Sequence, residues 1–99
     1  FMPAVVQYNG LKKLTEEQQQ ILKGLTQKYS NKLMRRYAAP KITIKLDTQK
    51  DKGHQINVYV SLRAPNFIAR ASQMDWDIAK ATHRAFKHLE NEVNKKLKR

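Results

Sequence analysis

The sequence predicts an α+β domain in the order β-α-β-β-β-α, with two helices packed on one face of a four-stranded sheet. Three observations predict it. From Asp77 to Arg99, apolar side chains recur at steps of three and four, as in a helix lying on a core. From Ile21 to Tyr37 the same spacing recurs. Between these stretches, three short runs alternate apolar and polar residues, the period of a half-buried strand.

Each element follows from local chemistry. Residues 4–9 form a short strand candidate, ended by the turn signal Asn9-Gly10. Thr15-Glu16-Glu17-Gln18 is a helix start. The Thr15 hydroxyl can cap an early N–H, and Gln18 stands at the reciprocal position of a capping box. Glu16 and Glu17 suit the positive end of the helix dipole. Ile21, Leu22, Leu25, Tyr29, Leu33 and Tyr37 are the expected core stripe, and Pro40 stops the helix.

Ile42, Ile44 and Leu46 are the inward residues of the next strand, and residues 48–54 read as a polar hairpin loop. Ile56, Val58, Val60 and Leu62 point inward from the second arm. Ala64-Pro65-Asn66 is a turn. Phe67, Ala69 and Ala71 then face inward, which puts Ile68, Arg70 and Ser72 outside. Asp75 or Asp77 caps the last helix, with Trp76 packing back on Ala81 as a hydrophobic staple. Ile78, Thr82, Ala85, Phe86, Leu89, Val93 and Leu97 form that helix's apolar stripe. Three strands joined by short turns make an antiparallel meander, and the first strand joins only after the long helix crosses over. The outward sheet face then carries Lys45, Tyr59, Arg63 and Arg70.

Composition narrows the function. The 99 residues fit one domain, 2–99, with Met2 as the natural start and Phe1 as an added residue. The 20 Lys and Arg against 8 Asp and Glu give a net charge of +12. Such an excess raises association rates with anionic partners, nucleic acid first and anionic membrane second. No apolar run is long enough to span a bilayer. The absence of cysteine excludes disulfides and thiolate zinc sites.

The charge is partitioned. Lys80, Arg84, Lys87, His88, Lys95 and Lys98 fall roughly opposite the apolar stripe of the last helix. The first helix adds Lys23, Lys28, Lys32, Arg35 and Arg36. A solvated charged face is the bland reading of such a pattern. The size and clustering of the excess favour a surface that neutralises phosphates and releases counterions. Such contacts give affinity but no sequence code. Tyr59, Tyr8 and Tyr37 could stack on bases, Tyr59 best, because its strand neighbours point the other way. The Lys/Arg-Gly-Phe/Tyr motif of sheet-surface RNA readers is lacking.

Catalytic readings are weak. Asp75 and Asp77 could do acid–base work, but capping explains them better. His83 and His88 are five residues apart and do not converge on a metal, and His54 lies in a loop. The three glycines form no phosphate loop.

The order of elements and the final segment resemble the ribosome hibernation-promoting factors, also called ribosome-associated translation inhibitors. The first helix opens in that family's manner, here Leu14-Thr15-Glu16. A strand ending in small residues precedes the Asp that opens the last helix, here residues 69–77. The family's helix pattern falls on Asp77, Ala81-Thr82, Ala85-Phe86, Leu89 and Val93, and its basic tail on Lys95 and Lys96. Asn91 and His88 stand where the family has an arginine and a lysine.

The resemblance implies a double-stranded-RNA-binding-domain-like fold and a bacterial cytoplasmic or organellar source. It also implies a non-enzymatic factor that fills the small-subunit channel of messenger and transfer RNA and silences the ribosome. The expected partner is small-subunit rRNA, with no cofactor, metal, small-molecule substrate or membrane, and the free chain is expected to be a monomer. The expected RNA-binding residues are Lys28, Lys32, Arg35, Arg36, Lys80, Arg84, Lys87, His88, Lys95 and Lys96. The competing reading is a general double-stranded RNA-binding module. A membrane-surface or protein-interaction module comes third, because the apolar helix faces are needed for the core.

Overall fold

The computed structural model describes residues 5–37, 43–50 and 53–97, with the side chains of Arg36 and Tyr37 left aside. Ala4, Pro40, Ile42 and Lys98, which the sequence reading used, lie outside the described residues. The elements are β1 (Val5–Asn9), a single 3-10 turn (Leu11–Lys13), α1 (Glu16–Tyr37), β2 (Thr43–Lys50), β3 (Ile56–Arg63), β4 (Ile68–Asp75) and α2 (Ile78–Leu97). The sheet order is β1-β2-β3-β4. β1 runs parallel to β2, with Val5 opposite Thr43. The other two pairings are antiparallel. The order β-α-β-β-β-α, the four-stranded sheet and its antiparallel meander are as expected.

Both helices cover one face of the sheet. α2 lies across β3 and β4 and packs against α1. Thr26 of α1 sits beside Tyr8 of β1. The core joins Leu22, Tyr29 and Leu33 of α1 to Ile44, Leu46, Ile56, Val58, Val60, Leu62 and Ala69 of the sheet. Leu14, before α1, and Ile78, Ala81, Ala85, Phe86, Leu89 and Val93 of α2 complete it. Burying one large apolar side chain stabilises by about 1.5–3 kcal/mol, which makes this interior the main source of stability.

The helix starts are as the local chemistry predicts. The Gln18 N–H donates to Thr15 Oγ1 at 3.1 Å, and the Thr15 N–H donates to Gln18 Oε1 at 3.0 Å, closing the capping box. Asp77 caps α2, accepting the Ala79 N–H at 2.8 Å. Asp75 accepts the Asp77 N–H at 2.9 Å and shapes the turn before it.

Several expectations need correction. Ile21 is exposed, while Thr26 and Ser30 are buried. α1 packs against α2 as well as the sheet, so its buried face takes in Thr26 and Ser30 beside the apolar stripe. β2 continues past Leu46 to Lys50, so the polar loop begins later than expected. Its Thr48 is buried, and its hydroxyl donates to the Asn9 carbonyl at 3.2 Å. β4 likewise runs on to Asp75. Leu97 is exposed, because the end of α2 carries it away from the core. Trp76 is 63% exposed and does not act as a buried staple.

The 3-10 turn was not foreseen. It follows Gly10, whose φ of 79° is the left-handed conformation that glycine alone adopts freely. A Cβ on Gly10 would also collide with the Thr48 carbonyl oxygen. The Gln19 side-chain amide closes the segment from the other side, donating to the carbonyls of Leu11 at 2.8 Å and Leu14 at 3.1 Å.

Candidate nucleic-acid interface

The apolar stripe of α2 fixes the orientation of its charges. With Ile78, Ala81, Thr82, Ala85, Phe86, Leu89 and Val93 buried, Lys80, Arg84, Lys87, His88, Lys95 and Lys96 stand in solvent. The Thr82 hydroxyl is satisfied within the helix, donating to the Ile78 carbonyl at 2.7 Å. On α1, Lys28, Lys32 and Arg35 are exposed. The Arg36 side chain lies outside the described residues. Because α1 and α2 pack together, both sets of cations belong to the helical side of one molecule.

Three of these cations have acidic partners. Lys32 Nζ is 3.5 Å from Glu90 Oε2, joining α1 to α2. Arg84 donates to Asp75 Oδ2 at 3.1 Å. Lys95 lies 3.8 Å from Glu92 one helical turn away. The exposed pairs of Arg84 and Lys95 are cheap to break, since surface ion pairs are worth about 0–1 kcal/mol. Lys28, Arg35, Lys80, Lys87, His88 and Lys96 form no ion pair among the described residues. The lysine and arginine charges among them are available to an anion without a competing carboxylate among the described residues. The i,i+3 spacing of Glu92 and Lys95 was readable in sequence. The Lys32–Glu90 pair was not, because it requires the two helices to be docked.

Beneath this surface, Tyr29 is the hinge pin between the helices. Its hydroxyl lies 2.7 Å from His83 Nδ1. Burial pushes the Tyr29 hydroxyl pKa up, and the nearby Glu90 charge adds to that. His83 therefore has a structural partner, and among the described residues no three His, Cys, Asp or Glu are grouped to hold a metal ion. No helix among the described residues is long and apolar enough to cross a membrane.

The opposite side of the sheet is open. Lys45, Tyr59, Arg63 and Arg70 are all exposed there, as expected. Tyr8 is not available for stacking. It packs against the core, and burial raises its hydroxyl pKa while the Thr26 hydroxyl beside it opposes the rise. The Tyr37 side chain lies outside the described residues.

This fold and surface define a class: a small, strongly basic α+β domain with two long helices on one sheet face. Solved structures share the architecture. The N-terminal domain of Protein Y from Thermus thermophilus superposes with a TM-score of 0.70 at 18% identity, over 95% of this chain and 98% of that one. A ribosomal subunit interface protein from Coxiella burnetii superposes with a TM-score of 0.56 at 15% identity, over 98% of this chain and 100% of that one. At such identities the likeness is one of fold. No family model and no curated protein matches the sequence.

Proposed function

We propose that this chain is a ribosome-binding factor of the hibernation type, a non-catalytic single domain that occupies the RNA-lined channel of the small subunit. There it excludes messenger and transfer RNA. The observation that carries the reading is the exposed cation set of α1 and α2, mounted on a fold shared with a ribosomal subunit interface protein. The sequence resemblance to the hibernation factors supports it independently.

The mechanism is occlusion. The packed core gives a stiff body, and Lys28, Lys32, Arg35, Arg36, Lys80, Arg84, Lys87, His88, Lys95 and Lys96 are the residues assigned to rRNA phosphates. Phosphate contacts position a protein without reading bases, which suits a plug whose target is fixed by channel shape. The working compartment on this reading is the bacterial cytoplasm or an organellar stroma or matrix, and the free protein is a monomer.

Co-sedimentation with purified small subunits, large subunits and assembled ribosomes tests the proposal, beside a cell-free translation assay. Binding to the small subunit with loss of initiation is expected. Binding to the large subunit alone, or to neither, overturns it. Equal affinity for naked RNA duplex would instead make the chain a general double-stranded RNA-binding module.

A further inference from the structure

We propose that the open sheet face is a second binding site, which takes an unpaired nucleotide of single-stranded RNA. The base stacks on Tyr59, and the flanking phosphates are held by Lys45 and Arg70. The site lies on the side of the sheet away from the helices and stands whether or not ribosomes are the partner.

The placement follows from strand register. Tyr59 is on β3, an interior strand, and its side chain is 41% exposed. Its direct cross-strand neighbours are Asp47 on β2 and Ser72 on β4. Both are short, so they leave the ring uncovered. The next rung on the same face is Lys45, Ser61 and Arg70. Lys45 and Arg70 are thus the diagonal neighbours of Tyr59, one on each side. Diagonal positions are roughly 7–8 Å apart, within reach of long side chains. Arg63 extends the cationic line along the same face of β3. A shallow depression of about 500 Å³ runs over this patch, lined among others by Lys45, Asp47, Tyr59, Ser61, Arg70 and Ser72.

The chemistry selects the occupant. An aromatic ring with a cation on either side is the recurring platform for single strands, in which a base stacks and the backbone is neutralised. A duplex keeps its interior base faces stacked on one another and can offer Tyr59 no base within its length. A wholly apolar ligand would leave Lys45 and Arg70 unused. Asp47 is the acidic member of the patch, so it repels phosphate from its own rung and directs the backbone toward Lys45 and Arg70. Its carboxylate remains an acceptor for a 2′-hydroxyl or a base amino group.

The experiment is a fluorescence-anisotropy titration of end-labelled oligouridylate and oligoadenylate, about eight nucleotides long, beside a blunt RNA duplex of equal length. No ribosomes are present. Tyr59→Ala is expected to weaken single-strand binding by about 5- to 150-fold, the range of one lost base–aromatic stack. Tyr59→Phe should bind as the parent does, and duplex affinity should change less than twofold in both. Lys45→Ala with Arg70→Ala should lower the slope of log affinity against log salt by about 1.4 for the single strand. If Tyr59→Ala does not fold, Tyr59→Thr, which suits a strand, replaces it, with a thermal melt as the check. Unchanged single-strand binding by the folded Tyr59 variant overturns the proposal. So does an equal loss of duplex binding.

Discussion

The ring of Tyr29 lies flat against Phe86, with centroids 4.9 Å apart and planes 2° from parallel. The same tyrosine meets His83 edge-on, with ring centroids 5.6 Å apart. One residue of α1 therefore grips two consecutive turns of α2, by stacking on the inner side and by a hydrogen bond at the rim. Phe86→Ala should lose both burial and the stack and cost about 3–5 kcal/mol. Tyr29→Phe should keep the stack and cost about 0.5–1.5 kcal/mol, the net worth of one hydrogen bond. Urea unfolding of the two variants measures both. Against a total stability on the order of 5–15 kcal/mol, the first is a large fraction.

The same tyrosine sets an alkaline limit. Its hydroxyl pKa in the fold is raised above the ordinary 10.0, by burial first and by Glu90 second. The folded state therefore holds this proton more tightly than the unfolded chain. Its contribution is fully present below pH about 10 and is lost as pH rises through the folded value. Stability measured across that window should fall less steeply in Tyr29→Phe than in the parent. An unchanged slope would remove Tyr29 from the account.

Charge reversal on α2 should separate binding from folding. Lys80→Glu with Lys87→Glu touches exposed residues without ion-pair partners, so stability should move by about 0.5 kcal/mol or less. Ribosome binding should be lost. Arg84→Glu should abolish binding too, but it also sets a second carboxylate against Asp75, so its melt should drop slightly further. A thermal melt beside sedimentation reads both effects. If the reversals on Lys80 and Lys87 leave binding intact, the helical surface is not the contact.

Salt should act strongly on the same interaction. If about six phosphates are neutralised, affinity should fall on the order of 10³-fold between about 50 and 200 mM salt, by analogy with duplex DNA. Sedimentation repeated over that range gives the slope. A flat response would point to an apolar interface.

Gly10→Ala is expected to destabilise by about 2 kcal/mol or more. The left-handed backbone alone costs a non-glycine residue about 1–3 kcal/mol, and the added Cβ meets the Thr48 carbonyl, which is part of the β2 backbone and cannot swing aside as a side chain would. Gly24, in the middle of α1, has open space around its Cβ direction. Gly24→Ala should stabilise the helix by up to about 1 kcal/mol. The two variants in one urea series should shift the midpoint in opposite directions.

Local chemistry was legible in the sequence and docking was not. The Thr15–Gln18 box and the outward turn of Tyr59 each depend on residues within one element, and each reads directly from spacing, whereas spacing alone left Asp75 and Asp77 both open as the cap of α2. The exposure of every described RNA-binding candidate followed from the stripe on α2 and the charges of α1. Ile21 was placed in the core stripe and is exposed, while Thr26 and Ser30, outside that stripe, are buried, because α1 has two neighbours and its buried face is set by both. Thr48 read as loop because its partner, the Asn9 carbonyl, is on a strand far away in sequence. The pairs Lys32–Glu90 and Tyr29–His83 exist only once the helices meet, so no spacing rule could have shown them.

β1 has a consequence for the order of assembly. β2, β3, β4 and α2 are joined by short connections and can collapse as a local unit. β1 must wait, because its strand partner among the described residues is β2, on the far side of the whole of α1. Closing that long loop costs entropy before any ladder bond offsets it. β1 is thus the last strand to settle, although it comes before the elements it joins. Amide exchange should begin along Val5–Asn9 well before it reaches β3.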